Sequence, residues 1–224
     1  LTKNNGLLFG QCIRAIGGVG GTVPEELREE DGIVELPTCD VSGGGFVCGA
    51  ALAGRRPIFI VRYQGFMWYD AASLVNYAAK SKEVWNMPCP VFIRCIGMEH
   101  SGIGMVASSC LHSLFMRMPG LPVCAPMTPN EWSSIWSYYM EHDDPLLVSE
   151  HRRSFGIDYE MADSVSNDVD VTLIAISAAR LNCLEAQKKF AENRIKANLF
   201  HLLWLKPFTL TEALVSSILR SKVT

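Results

Sequence analysis

Short apolar runs alternate along this chain with segments whose apolar residues recur at helical spacing. Ile33–Leu36, Pro57–Tyr63, Pro90–Cys95, Leu121–Ala125 and Leu146–Ser149 are runs of strand length. Between them, Phe46–Ala53 is small and helical and stops at Gly54, and Trp68–Val84 places Trp68, Ala71, Ala72, Val75, Ala78 and Ala79 on one stripe. Val106–Met118 reads as a helix stopped by Pro119-Gly120. Pro129–Glu141 reads as another, with Thr128 as N-cap, Pro at the first position and Glu131 in the first turn. Strands this short and this apolar, separated by helices, predict a doubly wound parallel α/β sheet with helices on both faces. Ser154–Asp170 is polar and breaks the alternation. A strand at Val171–Ser177, a helix at Ala179–Arg194, a strand at Ala197–Leu205 and a helix at Thr209–Arg220 then read as the start of a second α/β domain. The expected division is a first domain over 1–155, a linker over 156–170 and an incomplete second domain over 171–224. Two strands make a poor sheet alone.

Composition narrows the classes. With 224 residues, 49% hydrophobic and 19% charged, the chain can bury a core and is not a disordered one. The net charge of −3 lacks the basic surplus of a protein that binds nucleic acid through phosphate contacts. No apolar run reaches the roughly 18 residues of a membrane span. The first residue is Leu1 and the opening has no signal-peptide shape, so a missing start is expected. The eight cysteines form no C-x-x-C pair and lie mostly in apolar segments, which predicts free thiols in a reducing compartment, cytoplasm or organelle matrix. The five histidines form no ligand pattern, so no metal site is expected.

Three stretches carry candidate chemistry. Gly17-Gly18-Val19-Gly20-Gly21-Thr22 looks like a phosphate loop but lacks the P-loop Lys and reads better as a turn-forming loop. Glu99-His100 follows a strand, where ligands bind in open α/β sheets, although a surface pair of this kind is usually solvated. Asp40 precedes Val41-Ser42-Gly43-Gly44-Gly45 and a helix, so it reads as a turn or cap residue when taken alone.

From Gly32 to Gly156 the chain resembles the beta subunit of pyruvate and branched-chain 2-oxoacid dehydrogenases, and more loosely the pyrimidine-binding domain of transketolases. The resemblance is carried by Gly49-Ala50-Ala51-Leu52-Ala53-Gly54-Arg55-Arg56-Pro57-Ile58, by Asn76-Tyr77-Ala78-Ala79-Lys80, by Pro119-Gly120-Leu121-Pro122-Val123 leading to Pro126, and by Asp143-Asp144-Pro145-Leu146-Leu147-Val148-Ser149-Glu150. Val169–Leu219 resembles the opening of the same subunit's C-terminal domain.

The resemblance implies thiamine diphosphate as cofactor. This half would hold the aminopyrimidine, and an alpha-type subunit with a G-D-G…N signature would supply the diphosphate and Mg2+ site. A heterotetramer acting on a small 2-oxoacid or ketose is the implied assembly. Asp40 matches the family Glu that hydrogen-bonds a ring nitrogen, one methylene shorter. A misplacement of about 1 Å in such geometry costs on the order of 100-fold. Phe66 matches the aromatic that packs on the ring, with Tyr63 and Gln64 beside it; Phe66 and Gln64 are therefore cofactor-binding candidates. The family His that handles substrate falls on Ala107, once a short deletion near Met87–Cys89 is allowed, and His100 is its candidate replacement. These departures leave a second reading, a non-catalytic relative that acts as an assembly or regulatory partner, and a third, an unrelated α/β binding protein. The large apolar groups Phe66, Met67, Trp68 and Trp85 predict self-association.

Overall fold

The computed structural model describes residues 4–99, 104–105 and 107–224, and within them the strands sort into two sheets. The larger runs β2-β1-β3-β4-β6-β5-β9 and is parallel except for its last pair. Its strands are β1 (Gly6–Gln11), β2 (Ile33–Leu36), β3 (Arg56–Val61), β4 (Phe92–Gly97), β5 (Val123–Cys124), β6 (Leu146–His151) and β9 (Trp204–Lys206). Successive side chains of a strand serve opposite faces. Phe59, Val61, Ile93 and Leu147 pack against α2 (Gly43–Leu52) and α3 (Met67–Ser73) through Val47, Cys48, Ala51 and Met67. On the other face Phe92, Leu146 and Val148 pack against Ile135 and Tyr139 of α6 (Pro129–Glu141), while Leu8 and Ile60 meet Val19 of α1 (Gly17–Gly21). Helices on both faces of a parallel sheet are the expected doubly wound architecture. Among the described residues no helix is long and apolar enough to cross a membrane.

The glycine-rich stretch forms a turn, as expected: α1 is a single turn with Gly17, Gly18 and Val19 at φ +49°, +60° and +57°. A Cβ on Gly18 would lie 2.0 Å from the Val23 carbonyl oxygen, so glycine is required there for space as well as for backbone angle. Several expected elements take a different form. The long stripe expected over Trp68–Val84 is broken into α3, a π turn at Leu74–Ala78 and α4 (Ser81–Trp85). The helix expected over Val106–Met118 shrinks to α5 (His112–Phe115); Val106 lies outside the described residues. Gly6–Gln11, for which no element is expected from the sequence, is an interior strand beside the edge strand β2. α6 keeps its expected bounds, with Glu131 Oε2 accepting the Met127 N–H at 2.8 Å and the Thr128 N–H at 3.3 Å.

After the polar stretch, β7 (Val171–Ile176) and β8 (Ala197–Leu202) form a two-stranded parallel sheet with α7 (Ala179–Glu192) and α8 (Glu212–Arg220). The strand expected at Ala197–Leu205 is two strands. After β8 the chain crosses over, and β9 pairs antiparallel with β5, Trp204 opposite Cys124 and Lys206 opposite Val123. The expected boundary is therefore bridged by main-chain pairing. A buried side chain bridges it too: Arg180 of α7, fully enclosed, donates to Glu131 Oε1 at 2.6 Å and to the Ala125 and Leu202 carbonyls.

Candidate functional site

Strand β1 is followed by β2 on one side and then by β3 on the other. The connections diverge there, leaving a crevice at the carboxyl ends of β1 and β3, the place where open α/β sheets bind ligands. A cavity of about 200 Å³ occupies it. Gln11 and Cys12 enter from β1, Thr38 and Asp40 from the segment after β2, and Phe59, Val61 and Arg62 from the end of β3. Phe66 and Asp70 close it from the turn and helix that follow.

Asp40 lies in the turn just before α2. It does not cap that helix. The N–H of Gly44 in the first turn of α2 is taken at 2.7 Å by Asp70 Oδ1, which arrives from α3. Among the described residues nothing hydrogen-bonds the Asp40 carboxylate, so its oxygens are left to the cavity. The glycines after Asp40 permit this arrangement. A Cβ on Gly43 would meet Phe59 Cζ at 2.9 Å and Asp70 Oδ1 at 2.8 Å, and one on Gly44 would meet the Asp70 carbonyl oxygen at 2.6 Å. Phe66 is half-buried, its ring 5.6 Å from that of Tyr63 and tilted 59° to it. Asp70 is 3% exposed, and burial lifts its carboxyl to about 7, against the pull of the Gly44 N–H and with a further push from the charge of Asp40.

The structure thus brings Asp40 and Phe66 together and adds Asp70. Sequence reading took the segment around Asp70 for a plain helix. The available signal was a lone carboxylate in an otherwise apolar stretch, Met67–Leu74.

Gln64, the other expected cofactor-binding residue, sits beside the cavity. It is fully buried, but its carboxamide is spent within the protein: Nε2 donates to Ser149 Oγ at 2.9 Å and to the Cys95 carbonyl at 3.1 Å, and Oε1 accepts the Leu111 N–H at 2.5 Å. It ties the ends of β4 and β6 to the following loop and does not line the cavity. His100 lies outside the described residues. Its neighbour Glu99 reaches back to the end of β6, with Oε2 3.8 Å from Nε2 of the buried His151. His151 Nδ1 accepts the Arg153 N–H at 3.1 Å.

The structure also brings together a cysteine and a histidine, which the sequence reading did not expect. Cys110 Sγ lies 3.3 Å from His112 Nδ1, and Ser149 Oγ lies 3.2 Å from the same nitrogen. Burial lowers the proton affinity of His112 and, with the charge of Glu99, pushes the Cys110 thiol up to about 11. A nucleophilic cysteine needs the opposite shift. A larger open groove, about 520 Å³, lies against α6. The Arg94 guanidinium on its floor is committed to Glu150 at 2.8 and 2.6 Å and to the Thr22 carbonyl at 3.0 Å.

A sheet with a carboxylate and an aromatic face at its switch point narrows the families, and one match decides among them: residues 17–157 match the family described as transketolase, pyrimidine binding domain. The chain belongs to that family. Within it, the chain is 28% identical over 218 residues to the acetoin:2,6-dichlorophenolindophenol oxidoreductase subunit beta of Cupriavidus necator, covering 90% of this chain and 64% of that one. It is 23% identical over 206 residues to the mitochondrial pyruvate dehydrogenase E1 component subunit beta of Rattus norvegicus (84% and 57%). With the 2-oxoisovalerate dehydrogenase subunit beta of Bacillus subtilis it shares 24% over 196 residues (80% and 59%). The chain therefore spans 57–64% of the length of these relatives. Among solved structures, a transketolase from Campylobacter jejuni superposes with a TM-score of 0.75 at 15% identity, over 100% of this chain and 37% of that one. A split-gene transketolase described as an inactive beta4 tetramer gives 0.72 at 17%, over 99% and 73%. These two show the transketolase-like α/β fold.

Proposed function

We propose that the chain is the beta-type half of a thiamine-diphosphate-dependent enzyme that decarboxylates a 2-oxoacid or transfers an acyl or ketol unit. An alpha-type subunit would contribute the diphosphate and Mg2+ site. The observation that carries this reading is the pairing of Asp40 and Phe66 in one switch-point cavity of a pyrimidine-binding fold.

The residues present fit the ring end of that cofactor. Phe66 offers an aromatic face, Phe59 and Val61 give an apolar floor, and Asp40 brings acceptor oxygens that no described residue occupies. When bound, the cofactor supplies a carbon nucleophile that attacks a ketone or 2-oxoacid. This chain's part is to hold the ring between Phe66 and the apolar wall and to keep a carboxylate at the ring's polar edge. Exclusion of water by the aromatic lining strengthens that hydrogen bond. Ala107 cannot move a proton, so the second acid–base group is assigned to His100, whose ordinary pKa near 6.5 suits the task. Soluble operation in cytoplasm or organelle matrix belongs to the same proposal.

The test is calorimetric binding of thiamine diphosphate with Mg2+ to the chain joined to an alpha-type subunit. Binding is expected for the wild type, and Asp40→Asn should abolish exchange of the cofactor's C2 proton while circular dichroism stays unchanged. Exchange at the wild-type rate in Asp40→Asn would remove Asp40 from this role, and a wild-type complex that shows neither binding nor exchange would leave the non-catalytic reading, an assembly partner, as the better account.

A further inference from the structure

Asp70 is the second carboxyl in the cavity. It reaches the cavity from α3, on the side facing the start of α2, and its side chain is enclosed. One oxygen accepts the Gly44 N–H at 2.7 Å, and among the described residues the carboxyl has no other hydrogen-bond partner. The other oxygen opens on the cavity, where a ligand or solvent can complete it. A purely structural staple for α2 needs just the one acceptor, and an asparagine would provide it without the burden of a charge.

We infer that Asp70 is a second ligand-binding carboxyl of the ring site, which meets the polar edge of the bound heterocycle alongside Asp40. The inference rests on the reading of this cavity as the pyrimidine site, and it names the chemistry the site selects: a flat nitrogen heterocycle whose ring nitrogen meets both carboxyls. Such a nitrogen accepts a hydrogen bond when neutral and donates one when it carries a proton. A charged carboxylate only accepts hydrogen bonds, whereas a protonated carboxyl also donates one. One carboxyl in each state complements that nitrogen.

The surroundings of Asp70 support this division. The groups facing it are Asp40 before α2, Cys48 on α2 and Cys95 on β4. Burial holds the Cys95 thiol protonated, and its contact with Cys89 together with burial does the same for Cys48. Arg62 lines the cavity but lays its guanidinium 4.9 Å over the Tyr63 ring. Asp40 is thus the charged neighbour, and its repulsion keeps a proton on Asp70 as burial does. Burial and that repulsion lift the carboxyl to about 7, so it carries a donor proton below neutral pH.

The experiment uses the full chain joined to an alpha-type subunit, with the chain's aspartate carboxyl carbons labelled and resolved by NMR. The probe is free hydroxymethylpyrimidine, the amino-bearing ring of thiamine without its diphosphate. Both the Asp40 and the Asp70 carboxyl signals should move on titration with the probe. Asp70→Asn, which keeps an acceptor for Gly44, should weaken probe binding roughly tenfold and remove an inflection near neutral pH from its binding curve. Movement of Asp40 alone, with wild-type affinity in Asp70→Asn, overturns the inference and leaves the ring-site reading standing. Movement of neither signal overturns both. If Asp70→Asn does not fold, the response of the Asp70 signal in the wild-type chain decides alone.

Discussion

At the scale of single residues, two aspartates in one cavity have divided their work. Asp70 binds the start of α2, and Asp40, which stands where a helix cap is expected, is released from that duty. The cost of this arrangement is visible in proton affinity. Asp70 holds a proton up to about 7 in the folded protein, against 3.8 for the ordinary side chain. The folded state therefore binds a proton that the unfolded chain has released between those pH values. The stability it confers is full below pH 3.8 and is lost as pH rises through 7. Each pKa unit of difference is worth about 1.4 kcal/mol. Asp70→Asn carries no such dependence. Its denaturant stability relative to wild type should rise from pH 4 to pH 7 and then stay constant; an offset that does not change with pH would show that Asp70 titrates as an ordinary carboxyl.

At the scale of elements, the close approach of α2 and α3 depends on glycine. Replacing a helical glycine with alanine ordinarily stabilises by about 0.5–1 kcal/mol. At Gly44 the new Cβ would press on the Asp70 carbonyl oxygen at 2.6 Å, a backbone atom that cannot swing aside. Overpacking of that kind costs about 1–3 kcal/mol, so Gly44→Ala should lower the melting temperature. Gly49, in the same helix with nothing within 4 Å of its Cβ position, is the control, and Gly49→Ala should raise it. If both move upward, the helices have room to separate. The same packing explains what could be read beforehand. α6 was legible to the residue because Thr128, Pro129 and Glu131 encode its start locally. The break of the expected Trp68–Val84 helix at its π turn was not, because packing against the sheet and not local propensity sets it. That Asp40 and Phe66 share one cavity agrees with the register that the family resemblance gives them. Asp70 was not legible, because its meaning comes from Gly44, which is distant in sequence and adjacent in space. The direction of the Gln64 amide was not legible either, because its partner Ser149 is distant in sequence.

At the scale of the whole molecule, the outer surface of the α2, α3 and α4 layer is unusually apolar for a face in water. Phe46, Trp68, Tyr69, Tyr77, Val84 and Trp85 are each at least half exposed, and Tyr77 stacks on Trp85 with ring centroids 6.2 Å apart. Patches of this kind mark contact surfaces. Sedimentation at micromolar concentration should therefore report an oligomer, and Trp68→Glu with Tyr77→Glu should dissociate it without loss of helical signal. A stable wild-type monomer would mean that this face is solvated.

The pairing of β9 with β5 has a mechanical consequence. A single residue, Leu203, separates β8 in the small sheet from β9 in the large one. No slack remains for the second unit to swing on the polar stretch before it, because any rotation would have to tear an edge strand from the main sheet and drag the Arg180 guanidinium away from Glu131. The polar segment is consequently a strap on the surface and not a hinge. Cutting it would leave two polypeptides that still travel as one body, and the floor of the cavity would not register the cut.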